Sequence, residues 1–213
     1  MSQRLLLTAG IAAIAASFLI GAVVMVTRPA GTPLMGWSAS SNGQSISIDK
    51  ARQSVQSFLD RTGDGDLKID ELMEFQQNFY ALIKEQSTGT GAFELLVNKS
   101  NGAVAFEPGP DMMWNTKYGM MGRGGMMAGF LRASSGAAMT VSTDDASQIS
   151  QSWLDRHFPG DSAGTPDAFY GYYTFHFVRN GRIAGMLSIN GYTGQVWFHS
   201  WHGAFIQAKD FGV

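Results

Sequence analysis

The apolar positions of this chain fall into three regimes. From Leu5 to Thr27 they run for 23 residues without a charge, between Arg4 and Arg28. As a helix rising about 1.5 Å per residue, this run spans roughly 34 Å, slightly more than a bilayer core. Its distal half, Phe18 to Val26, stays bulky, and no clean cleavage site follows. The expectation is therefore an uncleaved signal anchor over 1–28, with a cleaved signal peptide as the alternative. One arginine at each end sets the orientation weakly. The simplest topology is single-pass in the cell membrane, with the remainder on the periplasmic or extracellular side. Residues 29–45 hold Pro29, Pro33, glycine and several serines, and read as a tether.

The second regime has helical spacing. Ala51, Val55, Phe58 and Leu59 share one face, and so do Ala146, Ile149, Trp153 and Leu154. Asp49 is the candidate N-cap of the first helix, and Thr143 or Asp144 of the second. The third regime is β-rich: Phe79 to Ile83, Phe93 to Val97, Phe169 to Val178 and Ile183 to Ile189. Leu67 to Phe75 reads as an edge strand. Asn98–Gly102 and Asn190–Gly194 predict tight turns, because Asn and Gly tolerate positive φ. Val104 and Val196 then open closing strands. A helix covering one face of such a sheet is an α+β layer.

These regimes repeat. Gln56-Ser57-Phe58-Leu59-Asp60-Arg61 recurs as Gln151-Ser152-Trp153-Leu154-Asp155-Arg156, with five of six positions identical. Phe79-Tyr80-Ala81-Leu82 aligns with Tyr172-Tyr173-Thr174-Phe175, and 94–106 aligns with 186–198. The offsets are 95, 93 and 92, so order is kept while loops change length. The helix, the aromatic strand pair and the closing turn resemble the PepSY domain family. The turn residues that carry the likeness are Val97-Asn98 through Gly102 and Val104, then Ile189-Asn190 through Gly194 and Val196. The resemblance implies an α+β fold of two tandem PepSY-like modules, at 46–108 and 143–213. A Met/Gly-rich connector at 109–142 separates them, and an aromatic tail ends the second. It also implies non-catalytic, extracytoplasmic modules, often membrane-tethered, some of which accompany or inhibit peptidases.

Composition narrows the chemistry. With 45% hydrophobic and 12% aromatic residues a packed core is affordable, and 26 glycines fit a turn-rich fold. Charged residues are 15% and the net charge is −2, so no basic patch argues for nucleic acid. The absence of cysteine excludes disulfides, thiolate metal sites and thiol catalysis. There is no His-Glu-x-x-His, nucleophile elbow or phosphate-binding glycine loop, so the reading is not an enzyme and no cofactor is expected.

Three features remain. Residues 60–71, DRTGDGDLKIDE, fit a calcium loop, with Asp60, Asp64 and Glu71 as ligands. The second copy lacks the pattern, so a solvated acidic turn is the leading reading and calcium the alternative. The connector carries Met112, Met113, Met120, Met121, Met126 and Met127. Thioethers are soft ligands that suit Cu(I), but an adaptable contact surface is the leading reading. His199 and His202 are the one close histidine pair, expected to pack with Trp197 and Trp201. His176 alternates with Phe175 and Phe177 and is expected to face solvent or pair locally. The leading function is protein binding, to a peptidase or a membrane-complex subunit, through Met112, Met113, Trp114, Tyr118, Trp197 and Trp201. Metal handling, by Met120, Met121, Met126 and Met127 or by the acidic loop, is the alternative.

Overall fold

Ser47 and Ser142 start the two helices, and each does so by accepting a hydrogen bond from the amide three residues on. The computed structural model describes residues 45–119 and 138–212. The expected anchor, the tether up to residue 44 and connector residues 120–137 lie outside the described residues, Met120, Met121, Met126 and Met127 among them. Among the described residues no helix is long and apolar enough to cross a membrane.

Helix α1 is Ile48–Thr62; Gly63, at φ 72°, closes it in the left-handed conformation that glycine adopts freely. Ile48, Ala51, Val55 and Leu59 form its buried face. Asp49 is not the cap: it lies in the first turn, where its charge favours the helix dipole. Likewise Ser142, rather than Thr143 or Asp144, caps α3 (Thr143–His157), through a reciprocal capping box with Asp145. A short helix, α2 (Pro110–Trp114), leads into the connector.

Helices α1 and α3 are each followed by three antiparallel strands, a tight turn and a three-residue strand. These are β1 (Leu67–Phe75), β2 (Asn78–Glu85), β3 (Gly91–Asn98) and β4 (Val104–Phe106), then β5 (Ser162–Phe169), β6 (Tyr172–Arg179), β7 (Arg182–Asn190) and β8 (Val196–Phe198). Gly171, at φ 103°, splits the expected strand 169–178 into a hairpin. The tight turns are built alike. Asn98 Oδ1 accepts from Ser100 N at 2.8 Å, and Asn190 Oδ1 from Tyr192 N at 2.9 Å. Gly102 and Gly194 have φ of 72° and 71°.

The register corrects one alignment. Phe79 lies opposite Val97, and Tyr173 lies opposite Ile189. Phe79 therefore corresponds to Tyr173, not Tyr172. A slip of one residue exchanges the two faces of a strand. The corrected register makes Asn78, Tyr80 and Leu82 the counterparts of Tyr172, Thr174 and His176.

A ninth strand, β9 (Phe205–Asp210), falls in the aromatic tail and was not read from the sequence. It pairs antiparallel with β1, which is therefore not an edge. The nine strands form one mixed sheet, ordered β8-β7-β6-β5-β3-β2-β1-β9, with β4 also on β3. Among the described residues the sole parallel step is Gly91 opposite Phe169. Six residues separate β8 from β9. They reach at most about 24 Å, whereas a flat path across seven strand spacings needs about 34 Å. The sheet must fold back on itself. Three apolar clusters show how: α1 covers β1–β3, α3 covers β6–β7, and the other faces of the two half-sheets meet in a shared layer. That layer holds Met73, Phe75, Tyr80, Leu82, Leu96, Phe169, Tyr172 and Met186.

At one rim, Glu85 ties the halves together. Its carboxylate accepts from Lys117 Nζ, from Tyr118 Oη at 2.6 Å, from Tyr170 Oη at 2.7 Å and from Thr88 Oγ1 at 2.8 Å. Burial alone raises its pKa, but these donors outweigh burial and hold it at about 2. A depressed carboxylate stabilises the fold above its unfolded pKa and ceases to do so as pH falls through the folded one. Stability should decline from about pH 4.5 down to about pH 2. In Glu85→Gln that decline should be shallower, which acid titration of the thermal midpoint will show.

Candidate functional site

The face that each half-sheet turns toward the other is not wholly apolar. Alternation brings Asn78, Glu94, Thr174, His176 and Ser188 onto the same side as Tyr80, Leu82, Leu96, Tyr172 and Met186. Just beyond β4 and β8, the chain adds Glu107 and His199. These are equivalent positions: Glu107 N donates to Glu94 O at 2.9 Å, and His199 N to Met186 O at 3.1 Å. The duplication thus places an acid and a histidine opposite one another across the shared layer. His202 arrives on the link to β9.

Glu94, Glu107, Asp111, His199 and His202 are each at most 3% exposed. Tyr80 Oη donates to Glu94 Oε1 at 2.6 Å, and Tyr172 Oη to Glu94 Oε2 at 2.9 Å. Tyr172 Oη also lies 3.1 Å from Asp111 Oδ1. Burial, then the Glu107 charge, raises Glu94 to about 8, so it is protonated near neutral pH. Burial raises Asp111 as well, with Glu94 and Glu107 adding to it. Glu107 is the ionised one. Burial works against its charge, but His199 and His202 together hold its pKa low.

The two imidazoles are fixed from behind. Asn78 Nδ2 donates to Trp201 O at 3.1 Å, so its Oδ1 faces His202 Nδ1, 2.9 Å away, and accepts that N–H. His199 Nε2 lies 2.9 Å from Ser188 Oγ, which lies 2.9 Å from Thr174 Oγ1. The inner nitrogens, His199 Nδ1 and His202 Nε2, stand 3.4 and 3.0 Å from Glu107 Oε1. Neither makes an aligned hydrogen bond, and Glu107 Oε2 is without a partner. Trp201 Nε1 donates to Glu107 Oε1 at 3.0 Å, while its ring stacks on His199 at 4.8 Å. Among the described residues, Glu107, His199 and His202 form a group whose ligand atoms all lie within 4.8 Å of one another, close enough to hold a metal ion.

The other sequence candidates sit elsewhere. Glu71 lies inside β1, opposite Leu82 and Asp210, with Oε2 3.6 Å from His176 Nε2. That is about 13 Å up the strand from Leu67, too far to close a loop around Asp60 and Asp64. Asp60 Oδ1 accepts from Gln56 Nε2 at 2.8 Å, and Asp155 repeats this with Gln151 at the same distance. Asp64 Oδ1 accepts from Asp66 N at 3.0 Å. His176, 19% exposed, is half-buried between the half-sheets rather than solvated, and burial raises Glu71 to about 7 and lowers His176 to about 4.

Trp114 meets Trp197 edge to face at 6.0 Å, and Trp197 also lies against Gly109. Tyr118 packs on Phe93 at 5.4 Å. Met112 is half-buried, and Met113 is 42% exposed. Trp114, Tyr118, Trp197 and Trp201 therefore spend most of their contact area inside the fold. The close His199–His202 spacing was visible in the sequence. Nothing in sequence spacing pointed to Glu107 as their partner, except its place one residue past the repeated Phe106/Phe198.

No family model matches the sequence, and no curated protein matches it. Among solved structures the chain is similar to the Bacillus megaterium YpeB C-terminal domain, at 14% identity and a TM-score of 0.25. The likeness covers 72% of this chain and 62% of that one, less than two thirds of its length.

Proposed function

We propose that this chain is a membrane-anchored, extracytoplasmic, non-catalytic binding protein, in which two PepSY-like modules present strand edges to a peptidase or to a subunit of a membrane complex. The carrying observation is where the chemistry-bearing side chains lie. Glu94, Glu107, Asp111, His199 and His202 are sealed between the half-sheets at no more than 3% exposure, out of reach of a substrate. What the described surface offers instead is backbone. Strand β9 ends the strand order and is paired on one side only, by β1. Its Ile206 is 47% exposed, one of two large apolar side chains that stand out among the described residues, the other being Met113. An extended segment can add to such an edge, its main chain supplying affinity and its side chains specificity. The apolar run 5–27 supports the membrane tether.

The test is affinity isolation of the full chain from detergent-solubilised membranes, comparing wild type with Ile206→Asp. A stoichiometric protein retained by wild type, reduced at least about tenfold in the variant at unchanged thermal midpoint, is the expected result. Hydrolysis of peptide or ester substrates by the purified chain, abolished by a single substitution, would refute the non-catalytic reading.

A further inference from the structure

We infer that Glu107, His199 and His202 form a closed structural site for one divalent first-row metal ion, zinc being the chemistry that fits best. The first argument is tautomeric. Asn78 Oδ1 accepts the His202 Nδ1 proton, which leaves the Nε2 lone pair of the neutral ring pointing inward. His199 also turns Nδ1 inward, while its Nε2 meets the Ser188 hydroxyl, which can accept the Nε2 proton and free the Nδ1 lone pair. Imidazole ligands are oriented in this manner by a hydrogen bond from the outer nitrogen. The second argument is aim. Both inner nitrogens come within 3.4 Å of Glu107 Oε1, yet neither is aligned for a hydrogen bond to it. Ligand atoms that point at a common centre, and not at each other, show this geometry. With metal–ligand distances of about 2.0–2.2 Å, the edges of a tetrahedral site are about 3.3–3.5 Å. The observed 3.4 and 3.0 Å lie close to that.

The third argument is donor count. Glu107 Oε2 is buried and without a partner, so the carboxylate can bind through both oxygens. Two imidazoles and one carboxylate make three protein ligands, a donor set known to hold zinc, and their burial at no more than 3% exposure leaves no path for a substrate, so the ion would be structural. Nitrogen and carboxylate oxygen suit zinc or a neighbouring first-row dication, and not Cu(I), which prefers sulfur. The ion would join residue 107, which follows the first copy, to residues 199 and 202, which follow the second. It would fasten the two half-sheets to each other across the shared layer.

The full chain, purified in detergent, should be refolded after chelator treatment and titrated with Co2+, then with Zn2+. One equivalent of Co2+ should give the intense visible absorption of a tetrahedral ion, and Zn2+ should abolish it. Either metal should raise the thermal midpoint by about 5 °C or more. His202→Ala should weaken Co2+ binding at least about 100-fold, and Ser188→Ala, which removes only an orienting group, by about 10-fold. Asp64→Ala and Met113→Ala should change nothing. The inference fails if refolded wild type binds no Co2+, which would mean that the triad holds protons only. It fails equally if Co2+ binds with the same spectrum and affinity in His202→Ala and Ser188→Ala.

Discussion

Phe75→Ala should cost about 3–5 kcal/mol, the usual loss for truncating a buried phenylalanine, and should weaken both halves of the molecule together. Phe75 is fully buried at the end of β1. Its ring stacks on His202 at 4.5 Å and meets Phe205 edge to face at 5.7 Å. It therefore anchors the segment that crosses from the second half to the first. The cavity left by alanine opens into the layer that also holds Phe169, Tyr172 and Met186 from the second half. Unfolding in urea, followed by tryptophan fluorescence and by far-ultraviolet circular dichroism, should show one transition moved to lower denaturant. Trp153 reports on the second half and Trp114 and Trp201 on the shared layer, while Phe75 belongs to the first half. If tryptophan fluorescence stayed at the wild-type midpoint while dichroism moved, the shared layer would not couple the halves.

Gly171→Ala is expected to be nearly as damaging, for a backbone reason. Gly171 sits at φ 103°, a conformation that side chains resist at about 1–3 kcal/mol. A Cβ there would also stand 2.3 Å from Trp114 O and 3.2 Å from Thr116 Cγ2. Overlap with main chain is relieved only by moving it, for about another 1–3 kcal/mol. The segment it would displace is held by Thr116 N donating to Tyr170 O at 2.9 Å. Gly181→Ala is the control, since Gly181 has φ 74° but open space around it. A loss of about 3 kcal/mol at 171 against about 1 at 181 is the expected contrast in thermal or denaturant unfolding. Equal losses would show that the close approach to Trp114 has no consequence.

Much of the local architecture was legible because it depends on local physics. The apolar faces of α1 and α3, and the Asn-to-Gly turns, are set by spacing and by residues that tolerate positive φ. The caps were each misplaced by one or two residues, because several polar side chains compete at a helix start and only the hydroxyl that reaches the third amide wins. The strand alignment slipped by one because Phe79, Tyr80, Tyr172 and Tyr173 are all aromatic, so hydrophobicity does not tell one face from the other. Strand β9 is not legible in the sequence because Phe205–Asp210 alternates weakly and is mostly exposed. Its conformation is dictated by β1, a partner distant in sequence. The same holds for the buried site. Glu107 and His199 meet only because the sheet folds back, and no short-range pattern encodes that.

The pairing of β9 with β1 sets Asp210 opposite Glu71, with almost the whole described chain between them. Loop-closure entropy makes so remote a contact slow to form. Until residue 210 has emerged and found its place, β1 stands as an open template that any extended peptide can occupy. A second molecule's 205–210 segment is chemically identical to the native one, so crowded refolding favours strand exchange between chains. Dilution and slow refolding are the conditions under which each chain completes itself.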